Sequence, residues 1–176
     1  MKPRLPTRKE ALELLKSLGA DTEIVNHCIA VSNLAVKIAK RCTKPVDVEL
    51  VEIGGLLHDI GRVSTHGIRH AVEGARIAAE KGLPDSLIRI IERHIGAGLT
   101  ESDARRLGLP VKSYMPETLE EKIVTHADNL ISGTKKVPVA ETIQRLVRMH
   151  EMDGAKRMLA LHKELSNICG IDLDLI

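Results

Sequence analysis

The chain has 176 residues, a length that suits one domain able to bury a sizeable core without disulfides. Its net charge is +2 with acidic and basic residues interspersed, so we expect no surface for duplex DNA. The sequence has one Tyr and neither Phe nor Trp, and no apolar run approaches the ~20 residues that span a bilayer. We therefore expect a cytoplasmic protein, without a membrane partner, whose three separated cysteines stay reduced.

Helical periodicity dominates the chain, and no segment shows the clean alternation that is typical of strands. Thr7 and Glu10 predict a capping box at the start of a first helix, which ends near Leu18 before Gly19. Further helices are predicted at about 22–41, 48–59, 68–81, 84–95, 101–109, 116–132, 139–151 and 154–168. The pattern predicts an all-α fold of about seven to nine helices, arranged as a single domain over residues 1–176.

Six residues of the types that bind metals lie on or next to the apolar faces of five predicted helices, namely His27, His58, Asp59, His70, His94 and Asp128. A lone histidine on an apolar face is more often an ordinary core or edge residue, and we interpret His126, His150 and His162 in that way. A carboxylate buried alone costs several kcal/mol, so a buried Asp is paired, neutralised or metal-bound. Imidazole together with carboxylate suits Fe, Mn, Zn, Ni or Co. The six residues together therefore predict a metal site.

The ordered series of these residues resembles the HD superfamily of metal-dependent phosphohydrolases. "HDIGR" is similar to the signature of that family, "HAVEGARIAAEKGLPDSLIRIIERH" to the stretch with its third and fourth histidines, and "HADNL" to the segment with its distal Asp. The resemblance covers about residues 22–132 and implies a helical bundle of the HD-domain type. Residues 133–176 form C-terminal helices that carry no motif.

The resemblance also implies a set of ligands for two divalent transition metal ions. One ion is bound by His27, His58, Asp59 and Asp128. Asp59 bridges to a second ion, which is held also by His70 and His94. The metal is left open among Fe, Mn, Ni, Co and Zn.

The sequence departs from the family pattern at two positions. Many dinuclear members have a His-His pair where this chain has His94-Ile95, and the signature Lys is Arg62 here. Arg keeps the charge and can bind phosphate through two parallel hydrogen bonds. Arg62 is therefore a candidate catalytic residue that contacts phosphate, and its removal is expected to leave metal binding intact. His66 and Arg69 are further candidate phosphate contacts, with a solvated cluster at a helix start as the alternative.

The function implied by the resemblance is hydrolysis of a phosphoester in a nucleotide or another small phosphorylated substrate. A hydroxide that bridges two ions is a nucleophile at neutral pH, and the ions can bind the attacking and leaving oxygens. Two alternatives stay open, namely a mixed-valent di-iron oxygenase of the same family and a non-catalytic nucleotide-binding sensor. The oligomeric state is open as well, a homo-oligomer included. Residues 96–118 form either the edge of the substrate pocket or an ordinary surface connection.

Overall fold

The computed structural model describes residues 3–176, and most of them are helical. This range contains nine α-helices, which confirms the all-α fold and the predicted number of helices. They are α1 (Arg8–Ser17), α2 (Thr22–Arg41), α3 (Val48–Leu57), α4 (His70–Glu80), α5 (Asp85–Glu92), α6 (Glu101–Arg106), α7 (Leu119–Asn129), α8 (Val139–Arg148) and α9 (Met152–Cys169). Two 3₁₀ turns (Ile60–Val63 and Leu173–Leu175) and a short hairpin of β1 (Ile131–Ser132) and β2 (Lys135–Lys136) complete the chain.

The first helix begins where local chemistry predicts it. The hydroxyl of Thr7 accepts a hydrogen bond from Glu10 N, and the Glu10 carboxylate accepts one from Thr7 N. These two bonds satisfy amides that have no partner inside the helix. Asp21 and Asp47 cap α2 and α3 with their carboxylates in the same manner. Local sequence therefore determines where α2, which carries His27, and α3, which precedes His58, begin.

The helix predicted over 116–132 is wrong at both ends. It spans Leu119–Asn129 only, and the chain then turns back on itself in the β1–β2 hairpin, which pairs Ile131 with Lys136 and Ser132 with Lys135. Gly133 adopts the left-handed conformation in this turn, with φ of 60°. Strands of two residues are too short to show an alternating pattern, so no strand is predicted here.

Two glycines let the elements that carry the candidate ligands approach one another closely. A Cβ on Gly55 of α3 would lie 2.6 Å from Ser32 Cα of α2, and one on Gly61 would lie 1.8 Å from the His70 carbonyl oxygen. Neither distance is compatible with a side chain at the glycine. Gly55 thus lets α3 pack against α2, and Gly61 lets the turn after Asp59 pack against the first turn of α4.

The aliphatic core lies among α2, α3, α5 and α7, and α1 and α9 pack against it. Its largest fully buried side chains are Leu and Ile, as the near absence of aromatic residues requires. The single tyrosine, Tyr114, is buried in a separate small cluster with Ala104 and Leu109. Among the described residues, no helix is both long enough and apolar enough to cross a membrane.

Candidate metal centre

The structure brings together all six residues that the sequence singled out as metal ligands. Three of them lie at helix ends rather than within helices. His58 follows the last residue of α3, His70 is the first residue of α4, and His94 lies two residues beyond α5. These three side chains are buried, as is Asp59, which is 2% exposed. His27 of α2 and Asp128 of α7 are half-buried at the rim.

Four side chains form the outer part of the centre. His27 Nε2 lies 3.0 Å from Asp128 Oδ1 and 3.7 Å from Asp59 Oδ2. His58 Nε2 lies 3.4 Å from the same Asp128 oxygen and 3.6 Å from Asp59 Oδ2. Two imidazole nitrogens and two carboxylate oxygens thus surround one point.

The inner part of the centre uses the other oxygen of the same aspartate. Asp59 Oδ1 lies 3.1 Å from His70 Nε2 and 3.3 Å from His94 Nε2. The two imidazole nitrogens are 2.9 Å apart. Asp59 therefore presents one carboxylate oxygen to each of two groups of ligand atoms.

The hydrogen bonds of the four Nδ1 atoms determine whether the Nε2 atoms of the same rings carry a lone pair. His58, His70 and His94 each direct Nδ1 to the carbonyl oxygen three residues earlier, at 2.7, 2.8 and 2.7 Å. His27 directs Nδ1 to the carbonyl oxygen of Gly133 in the hairpin, at 2.7 Å. A carbonyl only accepts, so each Nδ1 carries the hydrogen and donates it. Each neutral ring is left with a lone pair on Nε2, which is the form that binds a metal.

This arrangement fits a metal and is poorly explained without one. His70 Nε2 and His94 Nε2 face each other with lone pairs, and neither can donate to the other while both rings are neutral. His58 Nε2 and Asp59 Oδ1 are buried and have no hydrogen-bond partner among the described residues. Buried polar atoms without partners are rare in proteins and call for an explanation. A cation in each of the two groups satisfies these atoms.

The charges of the centre support the same view. Burial alone raises the pKa of Asp59, but the surrounding imidazoles, His58 first, hold it well below its usual range. Burial lowers the pKa of His94, only partly offset by its contact with Asp59. Burial also lowers the pKa of His58, but the Asp59 and Asp128 carboxylates more than offset this and raise the pKa well above its ordinary value. The aspartate is thus ready to bind a cation, while protons compete with a metal at His58.

The predicted phosphate contacts lie at different distances from this centre. Arg62 Nε donates to Asp59 Oδ2 at 2.7 Å, so the arginine also orients the shared carboxylate. Arg62 and His66 line a first cleft of about 300 Å³, together with Asp21 and Glu23 of the α2 start. Arg69 instead donates to the Gly108 carbonyl oxygen at 2.9 Å and lines neither cleft at the centre.

A second cleft, of about 280 Å³, shares His27, Arg62 and Gly133 with the first. It is bordered by Asp128, by Ser132 of the hairpin and by Arg145 of α8. Neither Ser132 nor Arg145 is a predicted site residue, because Ser132 lies just past the "HADNL" segment and Arg145 lies in the C-terminal helices, which carry no motif. The "SG" dipeptide at residues 132–133 is a recognised turn signal and was the one local hint. The arginines and the lysine of segment 96–118 line neither cleft.

A second group of buried histidines lies on the far side of α7. His162 Nε2 donates to Asp172 Oδ1 at 2.9 Å, since the carboxylate can only accept. His162 Nδ1 therefore accepts from His126 Nε2, at 2.8 Å. His162, Asp172 and Asp174 lie close enough together to offer ligand atoms to an ion, although Asp172 is exposed and Asp174 is only half-buried. Here the nitrogens that face each other, and His162 Nε2, already have hydrogen-bond partners, whereas His126 Nδ1 is buried without a partner among the described residues.

The sequence matches the HD domain family over residues 24–133. The chain belongs to the HD domain family. The matched range contains all six candidate ligands and Arg62.

Two relatives and one solved structure show how this HD domain compares with known proteins. An uncharacterized protein of Methanocaldococcus jannaschii is 50% identical over 167 residues, which cover 91% of this chain and 97% of the relative. A tRNA (cytidine(56)-2'-O)-methyltransferase of Picrophilus torridus is 46% identical over 170 residues. That match covers 97% of this chain but 49% of the relative, so the chain spans about half the length of that protein.

The fold is similar to the HD domain of the phosphodiesterase PgpH of L. monocytogenes in complex with cyclic-di-AMP. The TM-score is 0.56 at 19% sequence identity, and the match covers 89% of this chain and 96% of the other. At this level of identity the similarity establishes the fold. Family membership and the His/Asp clusters together support metal-dependent phosphohydrolase chemistry for this HD domain.

Proposed function

We propose that this HD domain is a hydrolase that cleaves a phosphoester bond of a nucleotide with two bound divalent metal ions. The observation that carries the proposal is the position of Asp59, whose two oxygens face two separate groups of imidazole nitrogens at 3.1–3.7 Å. The first ion would be held by Asp59 Oδ2 with His27, His58 and Asp128. The second would be held by Asp59 Oδ1 with His70 and His94.

The chemistry of such a centre explains why hydrolysis is the best-supported reaction. Two divalent ions bound here supply an activated water at neutral pH and neutralise charge on the phosphate. Arg62 keeps the shared carboxylate oriented through Nε, and its side chain lines both clefts, where the guanidinium can bind phosphate oxygens. Its Nη1 lies 3.5 Å from the His66 carbonyl oxygen. His66 lines the first cleft and is a further candidate contact.

The class of substrate follows from the comparisons and is part of the proposal. A structure with the same fold is a phosphodiesterase with a bound cyclic dinucleotide, so a phosphodiester is the first candidate. The relative named as a tRNA methyltransferase carries a similar segment within an RNA-modifying protein. Short RNA oligonucleotides therefore belong in the substrate panel beside cyclic and linear dinucleotides and nucleotide monoesters.

The test is a hydrolysis panel with metal-stripped protein that is reconstituted separately with Mn, Fe, Ni, Co and Zn. We expect at least one metal to support hydrolysis of a phosphoester, with about two equivalents bound per chain. Iron is tested with and without oxygen, because an oxygen-dependent product would favour an oxygenase instead. Metal binding without hydrolysis of any substrate, or a protein that stays free of all five metals, would contradict the proposal.

Single-ligand variants separate the two ions. His70→Ala should keep about one equivalent of metal and lose most hydrolysis, because His70 contacts only the inner group. His27→Ala should disturb the outer ion. The exposed His150 offers a matched control, and His150→Ala should keep both ions. Loss of both metals in each ligand variant with an unchanged circular dichroism spectrum would indicate a single mononuclear site.

A further inference from the structure

Helix α8 is attached to the metal centre by a specific hydrogen bond. The hydroxyl of Thr142 donates to the carbonyl oxygen of Asn129 at 2.7 Å. Asn129 directly follows the candidate ligand Asp128 at the end of α7, and its own side chain donates to the Gly96 carbonyl oxygen at 2.8 Å. The position of α8 relative to the centre is therefore fixed by its first turns.

This placement puts Arg145 at the edge of the second cleft, one turn beyond Thr142. Its side chain is exposed and makes no hydrogen bond or ion pair with any residue in the described range. Other arginines near the same end of the molecule are engaged, since Arg106 binds Glu151 and Arg157 binds Asp103. Glu141 lies one turn before Arg145 on the same helix but does not pair with it in the structure. Arg145 is thus a cation available to a ligand.

The two clefts beside the centre differ in charge. The first contains the carboxylates of Asp21 and Glu23 in addition to Arg62. The second contains Arg62 and Arg145, and its only carboxylate is the candidate metal ligand Asp128. Once Asp128 is committed to a metal, the second cleft is positively charged. An anionic part of a substrate is therefore favoured in the second cleft over the first.

The polar lining of the second cleft indicates which anionic part it accepts. The Ser132 hydroxyl is exposed there and has no intramolecular partner among the described residues, so it can donate to a ligand. Apart from the candidate metal ligand His27, the residues that line the cleft have no aromatic side chain on which a nucleobase could stack, and the only tyrosine of the chain is buried elsewhere. Arginine binds phosphate through parallel hydrogen bonds.

We propose that Arg145 and Ser132 form a subsite for a second, non-scissile phosphate, so that preferred substrates carry two phosphates. The inference rests on the proposed function, because it places the scissile phosphate at the metal centre. The second phosphate then lies in the second cleft, on the α8 side of Arg62. Substrates with one phosphate leave Arg145 unused.

The subsite is tested by equilibrium binding, which needs no turnover. Isothermal titration calorimetry compares adenosine 3',5'-bisphosphate with adenosine 5'-monophosphate on the purified protein, both as isolated and after treatment with a chelator. We expect the wild type to prefer the bisphosphate. Arg145→Ala should weaken bisphosphate binding roughly 10- to 100-fold, since a charge-assisted contact is worth about 1.5–3 kcal/mol. The ratio of the two affinities should then approach one.

Matched variants make the result specific. Arg148→Ala removes an exposed arginine from the last turn of the same helix, outside both clefts, and should keep the bisphosphate preference. Arg145→Lys should retain part of it, because Lys keeps the charge but not the fork. A wild type without a bisphosphate preference, or an Arg145→Ala variant that retains it, overturns the subsite.

The two proposals fail in distinguishable ways. If the protein hydrolyses phosphoesters with metal but binds both nucleotides equally, the subsite is wrong and the proposed function stands. If no metal supports hydrolysis and Arg145→Ala still abolishes the bisphosphate preference, Arg145 binds a phosphate but the proposed function is wrong.

Discussion

The protein contains two groups of buried histidines, and they differ in the direction of their hydrogen bonds rather than in residue type. At the metal centre, each Nδ1 donates to a backbone carbonyl and each Nε2 faces a carboxylate or another Nε2. In the pair of His126 and His162, the nitrogens between the rings bond to each other and the chain of bonds ends on Asp172. The hydrogen-bond partner of one ring nitrogen therefore decides whether the other ring nitrogen has a lone pair available for a metal.

Replacing the carboxylate of each histidine group, Asp59 or Asp172, should give the largest difference in metal content and hydrolysis between the two groups. Asp59→Asn should lower hydrolysis by more than about 100-fold and release metal, because loss of even an outer-sphere partner of a ligand costs about 10- to 100-fold. Asp172→Asn is the matched control, since an amide oxygen can still accept from His162. Metal content by elemental analysis and the hydrolysis rate are measured on both variants. Equal effects of the two substitutions would contradict the distinction.

The position of each histidine along its helix explains how much of the two histidine groups could be predicted from the sequence. His58 and His94 lie just past helix ends, where backbone carbonyls have no partner within the helix and accept from an imidazole. Gly61 and Gly96 mark these ends in the sequence, so periodicity and glycines together predict that both histidines lie close to the end of a helix. His126 and His162 lie within α7 and α9, and were interpreted as ordinary core residues.

Other parts of the centre depend on contacts between distant segments and were not predictable. His27 is oriented by the carbonyl oxygen of Gly133, 106 residues away, in a hairpin too short to leave a strand pattern. The role of Arg62 in orienting Asp59 depends on its side-chain conformation within the 3₁₀ turn, which the motif does not specify. Arg145 lines the second cleft because α8 packs beside the end of α7.

The contact of Arg62 with Asp59 changes one expectation drawn from the sequence. Arg62→Ala was expected to leave metal binding intact, but the structure shows that Arg62 Nε holds the shared carboxylate. We now expect Arg62→Ala to reduce metal affinity as well as phosphate binding, with kcat/KM lower by about 10- to 100-fold. Arg62→Lys should restore part of the phosphate binding but less of the metal affinity, because Lys lacks Nε. Metal titration and steady-state kinetics separate the two effects, and an unchanged metal affinity in Arg62→Ala would contradict this role.

We expect the pair of His126 and His162 to affect the pH dependence of stability and not metal binding. Burial, with His162 nearby, lowers the pKa of His126 to about 3, against about 6.5 in an unfolded chain. Between these values the unfolded chain binds the proton more readily, so the free energy of unfolding falls as the pH drops from about 6.5 to about 3. The slope due to this group reaches at most about 1.4 kcal/mol per pH unit, and it vanishes above about pH 6.5.

His126→Gln removes this titration while leaving an amide that can donate to His162. Urea unfolding of both proteins is compared across pH 3–7 in a chelator, so that the residues of the metal centre titrate alike and cancel in the difference. The variant should be less stable at pH 7 by a modest amount but lose less stability on acidification. Parallel curves for the two proteins would show that His126 is not the neutral buried residue described above.

The central claim is that Asp59 joins two metal ions while the second histidine group holds none. Anomalous diffraction from crystals of the reconstituted protein, collected at the absorption edge of the bound metal, tests it directly. We expect two peaks, each about 2.0–2.2 Å from a different oxygen of Asp59, and none between His162 and Asp172. A single peak that does not touch Asp59, or a peak at His162 in place of one at Asp59, would contradict it.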